Sequence, residues 1–189
     1  RALCEIGLSS KARNRRTERA MSENLEALMA AFPGRWAAGT LLPQGNPKLA
    51  DALNTWRSAA AGRAFPPASA LGPAQLKAVL PDVHIYTVSP DAPRYHIRLV
   101  GTRMTDRIGQ NLAGKPVDEI ANETLRRAIS GLLGAVETAQ TWLHLMAPRA
   151  VALPDGEYKA LESIWLPCAD DGRTIDRVIA ISLLSSMVF

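Results

Sequence analysis

Apolar side chains recur at helical spacing in two segments of the chain. In the first segment they are Leu49, Ala52, Leu53 and Trp56. In the second they are Leu125, Ile129, Leu132, Leu133 and Val136. Asn46, followed by Pro47, and Asn122 stand just ahead of the two stripes, and asparagine at this position caps free backbone N–H groups. The pattern predicts two amphipathic helices, starting at Pro47 and after Asn122.

Five other segments are rich in β-branched and aromatic residues and are separated by turn residues. They are Val83–Ser89, Arg94–Val100, Thr141–Leu153, Glu157–Cys168 and Ile175–Leu184. Asp-Gly pairs at 155–156 and 171–172 are strong hairpin signals. Residues 102–120 read as short helical turns. We therefore expect an α+β fold with a five-stranded antiparallel sheet, helices on one face and an N-terminal helical extension.

The last predicted strand is apolar on both of its faces. Ile179 and Ile181 lie on one face, whereas Val178 and Ala180 lie on the other. A sheet that is open to water on one side would alternate apolar with polar residues. We therefore expect both faces to be covered here, with the Leu49–Trp56 helix as the lid, supplied by the same chain or by a partner.

The N-terminal residues differ from the rest in charge. Residues 1–20 contain six basic and two acidic side chains, and so carry the whole net charge of +4. We interpret them as a disordered tail, or as residues that precede the true start at Met21. A short helix is predicted over residues 22–31 and a Gly- and Pro-rich linker over residues 34–47. The expected domains are a basic, partly disordered or helical extension (1–46) and a folded domain (47–189).

The overall composition is that of a soluble globular protein, with 47% hydrophobic and 21% charged residues. No apolar run approaches the roughly 18 residues of a membrane span, and no secretory signal is visible. The two cysteines, Cys4 and Cys168, lie far apart and form neither a disulfide framework nor a metal motif. We expect a cytoplasmic protein without a membrane partner.

Few residues suggest catalysis. The segment from Gly109 to Pro116 resembles a phosphate-binding loop, but Pro116 stands where a Mg²⁺-binding hydroxyl is required. His84, His96 and His144 are far apart and all fall on predicted strands. No nucleophile-elbow or metalloprotease motif is present. We therefore expect no enzymatic activity and no catalytic or metal-binding residue.

Several short motifs accompany this order of elements. They are Phe65-Pro66-Pro67, Leu80-Pro81, the run from Arg94 to Thr102 (RYHIRLVGT), Leu112-Ala113-Gly114 and Leu166-Pro167. Together with the order of elements they resemble a PAS sensor domain, of the short stand-alone proteobacterial kind. The resemblance spans about residues 47–186. One departure is Ala68, where that family usually has an arginine. The resemblance implies a sensor or interaction module in bacterial signal transduction.

The resemblance leaves the cofactor unknown. Haem-binding PAS domains place a histidine on the long helix, and the segment Asn122–Thr138 contains none. Flavin-linked members use a cysteine after the second strand, and residues 102–121 contain none. Covalent blue-light chemistry is therefore not expected.

The resemblance also implies a small-ligand cavity between sheet and helices. Its predicted lining is Tyr95, Ile97, Leu99, Met104, Ile108, Trp142, His144 and Trp165. Leu143 and Leu145 replace Trp142 and His144 if the third strand faces the other way. The predicted dimer or signal helix presents Leu49, Leu53 and Trp56, to a second copy or to a signalling partner. The alternatives are a nucleic-acid or regulatory-protein binder that uses the basic arm, and a small enzyme with its site in the cavity.

Deletion of residues 1–20 tests the nucleic-acid alternative. Six cations without interleaved aromatic residues form a weak nucleic-acid signal, so we expect the shortened chain to bind DNA or RNA as weakly as the full chain. The measurement is fluorescence anisotropy of labelled oligonucleotides in low salt, where phosphate contacts are strongest. A marked loss of affinity on deletion would instead assign a binding role to the arm.

Overall fold

The computed structural model describes residues 34–152 and 158–185, and side chains within 34–147 and 160–184. The strands are β1 (Arg35–Ala38), β2 (Val83–Val88), β3 (Tyr95–Val100), β4 (Leu143–Ala152), β5 (Tyr158–Cys168) and β6 (Arg177–Ser185). The α-helices are α1 (Pro47–Ala60), α2 (Thr102–Ile108) and α3 (Glu123–Ala139). Three short 3₁₀ helices cover Ala68–Ala70, Lys77–Asp82 and Val117–Glu119. The predicted helix over residues 22–31 and the turn at 154–156 lie outside the described residues.

All six strands form one antiparallel sheet in the order β1-β4-β5-β6-β2-β3. The predicted α+β class and antiparallel sheet are confirmed. The sheet has one strand more than expected, because the segment predicted as a linker contains β1. Its four residues pair with Leu143 to Met146 of β4. Gly34 permits this close approach, since a Cβ there would lie 2.5 Å from the Met146 carbonyl oxygen.

The sheet has two covered faces, which are defined here by their side chains. The inner face carries Tyr86 and Trp165, and the outer face carries His144 and Glu162, as the strand registers require. Helix α3 packs on the inner face, where its Glu137 accepts a hydrogen bond from the Tyr95 hydroxyl. Buried side chains therefore lie on both sides of the sheet.

Helix α1 covers the outer face. The Asn46 side chain caps it by accepting from the Lys48 N–H, and Pro47 occupies the first position, as predicted. Leu49 and Leu53 are fully buried, and the Trp56 indole N–H donates to the Pro167 carbonyl of β5 at 2.7 Å. The two-sided burial inferred from the last strand is thus confirmed, and the lid belongs to the same chain. Helices consequently lie on both faces, rather than on one.

A β-bulge interrupts strand β3. Ile85 pairs with Leu99 and Tyr86 pairs with Ile97, so Arg98 is an extra residue in the ladder. Each side chain beyond the bulge is shifted by one position, which reverses the face it points to. Ile97 is 1% exposed, whereas Leu99 is 39% exposed. Leu99, which the predicted cavity lining includes together with Ile97, therefore points to the opposite face of the sheet.

The two glycine-containing motifs next to β3 have structural roles. Gly101 lies so close to the Lys77–Asp82 turn that a Cβ would be 2.3 Å from the Pro81 carbonyl oxygen. Pro81 is itself inside that 3₁₀ helix. At the open edge of β3, Ile97 exchanges backbone hydrogen bonds with Gly114 and Lys115. The loop that resembles a phosphate-binding segment thus covers the edge of the sheet.

Replacement of Gly101 by alanine should destabilise the domain by about 3 kcal/mol, because the added methyl group meets backbone atoms that cannot move aside. Gly72→Ala is the matched control, since its Cβ would meet only the flexible end of Gln75 at 3.3 Å. That change should cost less than about 0.5 kcal/mol. Urea unfolding of both variants measures the difference, and equal midpoints would contradict the close contact at Gly101.

Candidate functional site

A buried histidine–glutamate pair lies on the outer face, between the sheet and the segment that leads into α1. His144 Nε2 and Glu162 Oε1 are 2.9 Å apart, and the two residues are 0% and 2% exposed. The backbone N–H of Leu42 donates to His144 Nδ1 at 3.0 Å, and that of Asn46 donates to Glu162 Oε1 at 2.6 Å. The pair therefore binds the segment 42–46 to strands β4 and β5. We call this set the outer clamp.

The hydrogen bonds of the outer clamp fix the tautomer of His144. Nδ1 accepts from the Leu42 N–H, so the ring proton is on Nε2 and is donated to Glu162. Gly45 contributes by lacking a side chain, since a Cβ there would lie 3.0 Å from His144 Cε1 and 3.1 Å from Glu162 Oε1. Both buried polar side chains are satisfied within the chain, so the arrangement is suited to holding the segment rather than to binding a ligand.

An aromatic pair spans the inner face. The rings of Tyr86 and Trp165 stack with centroids 5.4 Å apart and an interplanar angle of 13°. They come from β2 and β5 and meet over β6, whose Val178 and Ala180 are small enough to lie beneath them. The Trp165 indole N–H donates to Ser163 Oγ at 3.0 Å. The centre of the inner face is therefore aromatic, and the polar side chain of Ser163 on β5 lies beside it.

His84 lies beside this aromatic pair on the same face. It is 4% exposed, and burial lowers the pKa of its imidazole to about 4. Its Nδ1 accepts from the Gly101 N–H at 3.4 Å, whereas Nε2 has no hydrogen-bond partner among the described residues. Sequence reasoning treated His84 as an ordinary strand residue. The sequence feature that could have revealed its position is that His84 is two residues from Tyr86, because residues two apart on a strand point to the same face.

Asp82 carries the second buried polar atom that lacks a partner in the described part of the chain. One carboxylate oxygen pairs with Arg103 of α2, and the other, Oδ1, has no partner. Burial raises the pKa of the Asp82 carboxyl group, against the attraction of Arg103 and Lys48. The ion pair joins the Lys77–Asp82 turn to α2.

The structure divides the predicted lining residues between two faces. Tyr95, Ile97 and Trp165 lie on the inner face, whereas Leu99 and His144 lie on the outer face. The third predicted strand is β4, for which Trp142 with His144 or Leu143 with Leu145 were the alternative lining residues. Leu143 and Leu145 are the ones that point inward. Trp142 lies on the outer side, where Arg57 of α1 stacks over its ring at 5.5 Å.

The remaining predicted residues lie on helices. Met104 and Ile108 are half-buried on α2, and Ile108 packs against the core. Leu49, Leu53 and Trp56 of the predicted dimer or signal helix are buried against their own sheet. In this arrangement they are not an open surface for a second copy, because the chain itself covers them.

A three-residue cluster joins β3 to the end of α3. The Tyr95 hydroxyl donates to Glu137 Oε2 at 2.5 Å, and the Arg94 guanidinium donates to both carboxylate oxygens. Burial and the neighbouring carboxylate raise the pKa of Tyr95. The first two residues of the RYHIRLVGT motif thus attach the sheet to its inner helix, which is a structural role.

Within residues 34–152 and 158–185, no three His, Cys, Asp or Glu side chains are arranged to hold a metal ion. No helix in these ranges is long and apolar enough to cross a membrane.

The sequence description of the PAS domain family matches residues 45–182, which is more than half of the chain. The chain belongs to the PAS domain family. PAS domains are generally modules for sensing and signal transduction, and the antiparallel sheet with its inner helices agrees with this fold. No curated protein matches the chain.

Two solved structures are similar to the PAS chain described here. One is an RNA-binding light-oxygen-voltage receptor, with 17% identity and a TM-score of 0.42, over 81% of this chain and 38% of the receptor chain. The other is the PAS domain of an HTR-like protein from Haloarcula marismortui, with 16% identity and a TM-score of 0.31, over 59% of this chain and 89% of that domain. The chain thus spans well under half of the receptor's length.

Removal of the Glu162 carboxylate should release the segment 42–46. Glu162→Ala leaves the Asn46 N–H and the His144 Nε2–H without an acceptor, and unsatisfied buried donors of this kind should cost about 3 kcal/mol together. Amide hydrogen exchange should then accelerate at Leu42 and Asn46. Glu123→Ala, which removes an exposed ion pair with Arg127, is the control and should leave both amides protected. Unchanged protection in Glu162→Ala would contradict the role of the outer clamp.

Proposed function

We propose that the protein is a non-enzymatic PAS sensor and interaction module that responds to a small ligand between the inner face and helices α2 and α3. In this proposal the change is passed through the sheet to the segment 42–46 and to α1. The observation that carries it is the placement of two distinct polar sites, His84 and the outer clamp, on opposite faces of one sheet. The outer clamp is satisfied within the chain, whereas His84 Nε2 has no partner in the part of the chain that the structure describes.

Strands β4 and β5 support the relay because they contact both layers. Along β4, Leu143 and Leu145 point inward and His144 points outward, so the inner and outer contacts alternate residue by residue. On β5, Trp165 of the aromatic pair is three residues from Glu162 of the outer clamp. If side chains on the inner face repack and displace β4 or β5, His144 and Glu162 move with the strand. The segment 42–46, which they bind, then moves as well. Packed elements of this kind change between discrete arrangements rather than deforming continuously.

The titration behaviour of the buried groups supports a role without catalysis. Burial lowers the pKa of His84 to about 4 and raises the pKa of the Cys168 thiol to about 12. Both shifts move the group away from neutral pH, whereas general acid–base or thiolate chemistry needs shifts toward it. These two side chains are therefore suited to packing and hydrogen bonding.

The expected setting of the module is bacterial signal transduction in the cytoplasm, as a short stand-alone proteobacterial PAS protein. The expected partners are a signalling protein or a second copy. Since α1 buries its apolar stripe in its own chain, such a partner meets the outward side of α1 or is recruited when α1 moves. Nucleic-acid binding through the basic arm remains the alternative, and residues 1–20 lie outside the described residues.

Native mass spectrometry of freshly purified protein, combined with amide hydrogen exchange, tests the proposal. We expect a non-covalently bound small molecule, and a change in exchange over residues 42–46 when it is removed by dialysis under mild denaturation and refolding. A change confined to the inner face, with residues 42–46 unaffected, would contradict the relay. Protein that carries no small molecule from any preparation and exchanges uniformly would contradict ligand sensing.

A further inference from the structure

His84 is a buried hydrogen-bond donor that has no acceptor among the described residues. The Gly101 N–H can only donate, so Nδ1 is the accepting nitrogen and the proton of the neutral ring is on Nε2. Nε2 has no partner in the described ranges, although only 4% of the residue is exposed. Buried donors are nearly always paired, so an unpaired one points to a group that the chain itself does not supply.

The surroundings of His84 restrict what that group can be. Its cross-strand partners are Val100 on β3 and Ala180 on β6, and both are apolar. Tyr86, two residues along β2, contributes an aromatic ring that is buried and stacked on Trp165. Burial is the cause of the His84 pKa shift. An ionised ligand would lose its hydration in this buried site, which is costly.

Small residues lie next to His84 on the same face of the sheet. Ala180 lies directly opposite His84, and on its other side it is opposite Trp165. Ser182 and Ser163, which face each other one step further along the sheet, are also small and buried. The His84 ring is thus flanked by short side chains on the side of β6.

We propose that His84 Nε2–H is the anchor for a small, uncharged, mostly apolar ligand with a carbonyl-type acceptor, held on the inner face beside Tyr86 and Trp165. This inference rests on the proposed sensing function and names the chemical class of its ligand. The acceptor satisfies the unpaired donor, and the apolar body packs against the aromatic pair. Nδ1 of the same ring accepts a hydrogen bond from Gly101 at the start of α2. A ligand that shifts the ring by binding to Nε2 would therefore also shift the start of that helix.

A matched set of probes tests the proposal with the full-length chain. Acetophenone has a carbonyl acceptor, ethylbenzene has nearly the same shape without one, and benzoate carries a charge. The binding of each is followed by chemical-shift titration in two-dimensional NMR of isotope-labelled protein. Wild-type protein should bind acetophenone about tenfold more tightly than ethylbenzene, the usual difference for one net hydrogen bond, and benzoate least of all.

Two substitutions assign the difference to His84. His84→Phe keeps the ring and removes the donor, so acetophenone and ethylbenzene should bind equally. His84→Gln keeps an N–H donor near the position of Nε2 and should restore the preference for acetophenone. If His84→Phe fails to fold, the comparison of His84→Gln with wild type still tests the proposal. A His84→Gln protein that binds acetophenone no more tightly than ethylbenzene would contradict it.

The outcomes separate this inference from the proposed function. Equal binding of acetophenone and ethylbenzene by wild type would show that the Nε2–H group does not anchor a carbonyl acceptor, and would overturn the inference alone. The same holds if a co-purified small molecule is retained by His84→Phe at wild-type occupancy. Wild-type protein that neither carries a small molecule nor binds any of the three probes would overturn the inference and ligand sensing together.

Discussion

The structure depends on the burial of both faces of its sheet by the same chain. Ile164, Leu166, Ile179 and Ile181 are at most 1% exposed on the outer face, and such side chains would be in water if α1 were absent. The outer layer is therefore required for the sheet to be stable, and the outer clamp specifies where it lies. Apolar contact favours coverage of the outer face in general, whereas the directed hydrogen bonds of His144 and Glu162 select one register for the segment 42–46.

This arrangement couples the two layers more closely than a sheet with one wet face. Every second residue of β4 and β5 belongs to the inner core, and the residues between them belong to the outer one. The buried polar groups differ in kind. The hydrogen bonds of the outer clamp are satisfied by the chain itself, whereas Nε2 of His84 on the inner face has no partner within residues 34–152 and 158–185.

The regular elements could be predicted from local patterns. Helix α1 follows from its Asn-Pro start and its apolar stripe, and α3 follows from Asn122, whose side chain accepts from the Leu125 N–H. The five long strands were predicted within about two residues of their observed ends, since β-rich runs between turn residues carry a strong local signal. The two-sided burial of β6 also followed from its sequence, because a strand with apolar residues on both faces cannot have a wet side.

The parts that were missed depend on contacts between distant residues. Strand β1 is four residues long and exists through its pairing with β4, more than 100 residues away. The bulge at Arg98 is a property of the β2–β3 pair, so alternation within β3 could not reveal that Leu99 points outward. His84 and the outer clamp were missed for a related reason. Sequence shows three histidines on strands, but only the register shows which of them meets an acceptor.

Isotope-filtered NMR on a mixture of labelled and unlabelled protein tests most directly whether one chain covers both faces of its own sheet. The method separates contacts within a chain from contacts between chains. The account predicts that cross-peaks between the Trp56 indole and residues 166–168 of β5 arise within one chain. Cross-peaks that appear only between chains, or none at all, would contradict it, because α1 would then cover a partner's sheet or leave its own outer face open.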